Sequence, residues 1–273
     1  MRGQTSVAGP GPRPAGDRYG VAMPVEKSTV TERPAGPPDQ ADQLARLRTL
    51  LDDATAHLLG DTIMVLDDDW RGPSQLPGWS RGHLATHLAR QADGLVRLTE
   101  WARTGERQDM YGSPEQRETE IERGALRSGL DLQVDLDTSA GRLEEAFEAV
   151  GAADAWDAVV EMRGGLLAPA RVLPLARLLE VTLHHVDLQT GYTLADVDAP
   201  TADWLLEWCA FRLRERDEFP RLQLTSSTAT VTLGSSGAAR VVRGSSPDLL
   251  GWLTGRCDDR ELQGGDGLRL PAF

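Results

Sequence analysis

The sequence predicts an α+β fold, an N-terminal four-helix bundle followed by a small C-terminal α/β domain. Three features lead to it. Between residues 40 and 192, apolar side chains recur at helical spacing in four stretches separated by loops containing Gly and Pro. The composition then shifts at Asp196 to Pro200, which reads as a linker. Beyond it, short β-prone runs lie between two helical segments. The organisation expected is a leader over residues 1–39, a bundle over 40–192 and a mixed domain over 200–273.

The leader is rich in Gly, Pro and small polar residues. Such a composition buries too little apolar surface to offset the entropy of ordering, so disorder is expected, and Met23 offers a second start within it. The first helix carries Leu44, Leu47, Leu50, Leu51, Leu58 and Leu59 and closes near Asp67 to Trp70. Turns at Gly72-Pro73-Ser74 and Leu76-Pro77-Gly78-Trp79 lead to Ser80, an N-cap for a second helix over Arg81 to Arg103. After Tyr111-Gly112-Ser113-Pro114, a third helical region holds Ile121, Leu126, Leu130, Leu132, Leu143 and Phe147, with a break expected near Asp135 to Ser139. A loop around Arg163-Gly164-Gly165 precedes the fourth helix, Arg171 to Gln189, which stops at Gly191. In the mixed domain, a helix over Trp204 to Arg216 precedes strands at Arg221 to Ser226, Ala229 to Leu233 and Ala239 to Arg243. The last helix has Ser246 as N-cap, Pro247 at its first position and Gly255 just past its end. Trp204, Trp208 and Trp252 fall at helical spacing and read as core.

Bulk properties narrow the function classes. Hydrophobic residues make up 40% and charged residues 26% of the 273, the balance of a water-soluble globular protein. No apolar run reaches the length of a membrane span. A formal charge of −13 opposes binding to a phosphate backbone, so nucleic acid is excluded as a partner. The two cysteines, Cys209 and Cys257, form neither a disulfide framework nor a cysteine metal motif, and the N-terminus lacks the apolar core of a secretion signal. A reducing cytoplasm is the expected compartment.

Four of the five histidines fall in two tight pairs, His83/His87 and His184/His185. On the fourth helix Glu180 and His184 project about 40° apart around the axis, so both reach one ion. The second helix supplies a histidine from the facing side. Bundles build metal sites this way, and a His, Glu, His set leaves a fourth tetrahedral position open. Spacing alone leaves His83 and His87 as rivals, although His87 lies a turn deeper. It also leaves the bland alternative of solvated histidines with no ion. His185 points about 100° from His184 and belongs to packing or to the support of a ligand. Asp187 either orients the His184 ring or caps the helix. Trp79 either walls the site or acts as a hydrophobic staple, the commoner role.

The run from Leu76 to Leu95, containing Pro77-Gly78-Trp79-Ser80 and His83 to His87, is followed by Tyr111 with Arg117, Ile121 and Glu122, and then by Glu180 to Leu188. Together with Leu249 to Arg256, these motifs resemble the mycothiol-dependent maleylpyruvate isomerase family over residues 40–270. The resemblance implies a DinB-like bundle that binds a divalent metal, usually zinc, through His87, Glu180 and His184. It also implies an arginine from the C-terminal domain that meets the substrate, with Arg256 the best match and Arg243 the fallback.

The activity implied is cis–trans isomerisation of maleylpyruvate to fumarylpyruvate in gentisate-type aromatic breakdown. A metal-activated thiolate would add to the cis double bond, the resulting single bond would rotate, and the thiolate would leave. Neither cysteine lies in the metal motifs, so the thiol is external, and mycothiol is what the family implies. Two other readings share the scaffold: thiol S-transfer to another electrophile, and a non-catalytic metal-binding or binding module. Oligomeric state and metal identity are not legible in the chain.

Overall fold

The computed structural model describes residues 40–214, 216–234 and 237–273, so the leader over 1–39 lies outside the described residues. Helix α1 (Gln40–Thr62) is followed by a 3-10 turn at Asp69–Arg71 and by α2 (Arg81–Thr104). Then come α3 (Pro114–Gly124), α4 (Gly129–Ala152) and a hairpin of β1 (Val159–Met162) with β2 (Leu166–Pro169). Helix α5 (Leu173–Leu188) completes a bundle with α1, α2 and α4. The C-terminal region contains α6 (Ala199–Leu213), β3 (Leu222–Thr225), β4 (Thr230–Leu233), β5 (Arg240–Arg243) and α7 (Ser246–Leu253). Its sheet has the order β4-β3-β5, with β3 antiparallel to β4 and parallel to β5. The α+β expectation therefore holds. Among the described residues no helix is long and apolar enough to cross a membrane.

Local chemistry explains where these elements begin and end. Ser80 caps α2 as expected: its side chain accepts from the His83 N–H, while His83 returns a bond to the Ser80 N–H. This is a capping box with histidine in the usual Glu position. Several expectations need correction. The third helical region breaks at residues 125–128 rather than at Asp135 to Ser139, because Ser128 caps a new helix by accepting from the Asp131 N–H. Helix α4 runs through the supposed break, where Asp135 accepts from Arg90 and Arg127 at 2.6 Å each. Leu126 and Leu130, expected on an apolar face, are exposed. The Gly164-Gly165 loop is the tip of a hairpin, with positive φ at both glycines.

Part of the expected linker is helical. Asp198 caps α6 by accepting from the Thr201 N–H, and Pro200 sits in its first turn. The N-cap of α7 is Ser245, one residue before the expected Ser246, whose hydroxyl instead bonds Asp203 of α6. Trp204, Trp208 and Trp252 are buried, as read from their spacing.

Packing centres on α5. Fifteen of its 16 residues are buried, and Glu180 is the exception. Burial on every side marks a central helix, where each buried leucine contributes roughly 1.5–3 kcal/mol and the buried Arg177, His184, His185 and Asp187 are each hydrogen-bonded. Arg177, one turn before Glu180, is fully enclosed and donates to Leu88 O and Gln91 Oε1 of α2, both at 2.7 Å. Burial depresses its pKa to about 10. These bonds fix α5 against α2.

The segment before α2 holds the far end of α5. Gln75 N–H donates to Asp187 O at 2.8 Å, and Arg81 Nε donates to Leu188 O at 2.7 Å, satisfying carbonyls that have no partner within the helix. Gln75 Nε2 also reaches Arg256 O at 3.0 Å. On the other side, Gly82 lets α3 approach, since a Cβ there would lie 2.6 Å from Ala125 O.

Candidate metal centre

His87 lies in the second turn of α2, and Glu180 and His184 lie one turn apart on α5. The anchoring just described brings them together. Their candidate ligand atoms all lie within 4.8 Å of one another. Glu180 Oε2 sits 3.0 Å from His87 Nε2 and 3.1 Å from His184 Nε2, and the two rings meet edge to face at 4.9 Å. Both histidines are buried, and Glu180 is partly open to a cavity of about 720 Å³ between the bundle and the C-terminal region.

The electrostatics are those of a tight polar cluster. Burial alone would raise the Glu180 pKa, but hydrogen bonds from His184 and His87 outweigh it and hold the carboxyl well below its ordinary range. Burial pushes His87 down to about 4, against the pull of Glu180. Burial also disfavours charge on His184, yet its bonds to Asp187 and Glu180 prevail and raise it. Two imidazoles and a carboxylate converging from one side suit a borderline divalent cation such as zinc, with a further position facing the cavity.

The supporting residues separate clearly. Asp187 Oδ2 lies 2.8 Å from His184 Nδ1, so it orients that ring and leaves Nε2 facing Glu180. Asp187 is itself fully buried and is clamped by Arg256 through Nε to Oδ1 at 3.2 Å and Nη2 to Oδ2 at 2.8 Å. Arg256 Nη1 donates to Thr254 O. Arg256 thus lines the cavity while holding the His184 support in place. Arg243 is exposed on β5, away from the cavity lining.

His83 is occupied by the α2 cap and faces Glu122 at 3.3 Å, outside the cluster. His185 stacks on Tyr192 at 4.0 Å and bonds Asp61 at 2.9 Å, a packing role. Trp79 lies edge-on to His87 at 5.5 Å and walls a second cavity of about 480 Å³, beside Tyr111 and Arg117. Sequence reasoning gave no role to Arg117, whose Nη2 lies 3.0 Å from His87 Nδ1. It stood only within the Tyr111, Arg117, Ile121, Glu122 motif, and that was its one signal. Arg163, at the hairpin tip and lining both cavities, was missed because the hairpin was read as a loop.

Comparison with known proteins bears on this geometry. Residues 51–189 match the mycothiol maleylpyruvate isomerase N-terminal domain family, a stretch that includes all three cluster residues. Two similar solved structures are a crystal structure of the mycothiol-dependent maleylpyruvate isomerase, 28% identical, and one of its histidine-to-alanine mutant, 27% identical. Each match covers 84% of this chain and 97% of the other, with a TM-score of 0.77. No curated protein matches the sequence. Over half its length, and with the cluster inside the matched stretch, the chain belongs to the mycothiol maleylpyruvate isomerase N-terminal domain family.

Proposed function

We propose that this chain is a cytoplasmic, mycothiol-dependent enzyme that isomerises maleylpyruvate to fumarylpyruvate at a divalent metal, zinc being the first candidate, as a step of aromatic catabolism. The observation that carries the proposal is the His87, Glu180, His184 cluster open to a cavity in a chain of this family. These three residues would hold the metal. Bound there, it would supply an open coordination position that lowers the pKa of an external thiol.

The chain's own residues account for the rest. Cys209 is buried, with its thiol pushed up to about 12. Cys257 lines the cavity, but desolvation together with Asp248 and Asp258 pushes its thiol up to about 11. Neither is a ready nucleophile at neutral pH, which supports an external thiol. Asp187 fixes the His184 tautomer. Arg256 spends three of its five N–H groups on Asp187 and Thr254, leaving two for a substrate carboxylate and for charge developing on the enolate.

The test is direct. Zinc-loaded protein with mycothiol should consume maleylpyruvate and release fumarylpyruvate, and absence of turnover in metal-loaded protein would reject the isomerase reading. Formation of a stable thiol adduct with another electrophile would instead support S-transfer. His87→Ala and Glu180→Ala should each lower bound zinc, measured after dialysis, by about 100-fold in affinity. Unchanged metal in both variants would remove the proposed centre and favour a non-catalytic binding module.

A further inference from the structure

Arg117, on α3, approaches the cluster from the His87 side and lines both cavities. Its guanidinium carbon lies 5.4 Å from the Tyr111 ring centre, its Nη2 bonds His87 Nδ1, and its Nε is buried with no hydrogen-bond partner. Arginine offers only donors. His87 Nδ1 must therefore accept, which puts the proton of the neutral ring on Nε2, where it is donated to Glu180 at 3.0 Å.

That arrangement suits the metal-free cluster and conflicts with a metal on His87 Nε2. A ring ligating through Nε2 keeps its proton on Nδ1, and this N–H would then point at an arginine N–H. A cation held there would thus be incompatible with the Arg117 bond to His87 Nδ1. The guanidinium, with Nη2 released and Nε already unpartnered, would remain bonded to Tyr111 and line the same cavity as Arg163.

From this geometry we infer that Arg117 is a carboxylate-binding, specificity-determining residue of the site, masked by His87 until the metal is loaded. The inference rests on the proposed metal centre and acidic substrate. Maleylpyruvate carries two carboxylates, and Arg256 and Arg117 meet the cavity from the C-terminal region and from the bundle respectively. Bidentate capture is the task for which guanidinium is better suited than ammonium.

The full-length protein and its Arg117→Met and Arg117→Lys variants test this, with thermal melting to confirm folding. Zinc should bind Arg117→Met at least as tightly as wild type, since no bond to His87 has to be broken first. Maleate, used as a dicarboxylate probe, should bind zinc-loaded wild type about 10-fold or more tighter than zinc-loaded Arg117→Met, with Arg117→Lys between them. The KM for maleylpyruvate should rise by a similar factor while the KM for mycothiol holds. Weaker zinc binding by Arg117→Met would make Arg117 a mere support of His87, and equal or absent maleate binding in both zinc-loaded proteins would also overturn the inference. If wild type fails to turn over maleylpyruvate, the proposed reaction falls, while the zinc and maleate titrations still decide the role of Arg117.

Discussion

His184 and His87 enter the same cluster with opposite supports. His184 sits near the buried end of α5, where Asp187 accepts from its outer nitrogen and Arg256 clamps Asp187 in turn. His87 sits on α2 with a donor, Arg117, at its outer nitrogen. A metal ligand ordinarily donates its outer N–H to a carboxylate or carbonyl, so under the proposed metal binding the His184 side would already be organised for a cation and the His87 side would have to rearrange. On that proposal one half of the centre would fix geometry and the other would respond to occupancy.

Substitution of Asp187 should break the comparison most strongly. Asp187→Asn keeps the shape but removes the charge that orients His184 and partners Arg256. Zinc affinity measured by competition with a chelator is expected to fall about 10–100-fold. A fall of less than twofold would mean that the His184 support is no stronger than that of His87. Next in size is Gly82→Ala, which acts only on the His87 side. Its methyl would press on Ala125 O and push α3 outward, costing about 1–3 kcal/mol in denaturant unfolding. Unchanged stability would show that the approach of α3 is not tightly fixed.

The smallest effect concerns the protons of the metal-free protein. His184 has a raised pKa, so its contribution to stability is full below the unfolded value of about 6.5 and is lost as pH rises through the raised folded value. His87 is depressed to about 4, so its contribution is full above about 6.5 and is lost as pH falls toward 4. Ring-proton NMR should show His87 neutral near pH 5.5 while His184 is charged. Coincident titration near the ordinary value would erase the distinction.

Much of this was legible in the chain, for reasons that can be named. The α2 start was readable because Ser80 capping is a local signal, and the ligand pair on α5 because a spacing of four residues brings side chains to one helix face. The three C-terminal strands were found because short stretches with alternating or β-branched side chains, such as Val231 with Leu233 and Val241-Val242, stood between turn residues. The division of α3 from α4 was misplaced because polar Asp135 and Ser139 looked like helix breakers, whereas arginines and a carbonyl satisfy them in place. The hairpin escaped notice because its Arg163-Gly164-Gly165 tip read as a loop and β2, Leu166–Pro169, has neither the alternation nor the β-branched residues that marked the C-terminal strands. The role of Asp187 was half legible, since three residues on one helix separate it from His184, whereas that of Arg117 depends on a tertiary approach to His87 Nδ1 that no spacing in the sequence encodes.

The short run from Pro73 to Ser80 has a consequence for how chains of this kind can diverge. Its ends are bridged to each other, Gln75 grips both the last turn of α5 and the backbone of Arg256, and the helix bearing His87 starts at once afterwards. One inserted residue there would shift a ligand relative to its two partners. Length variation is therefore expected to collect in the exposed loop at 105–109, while the stretch from 73 to 80 keeps its count even where its residues drift.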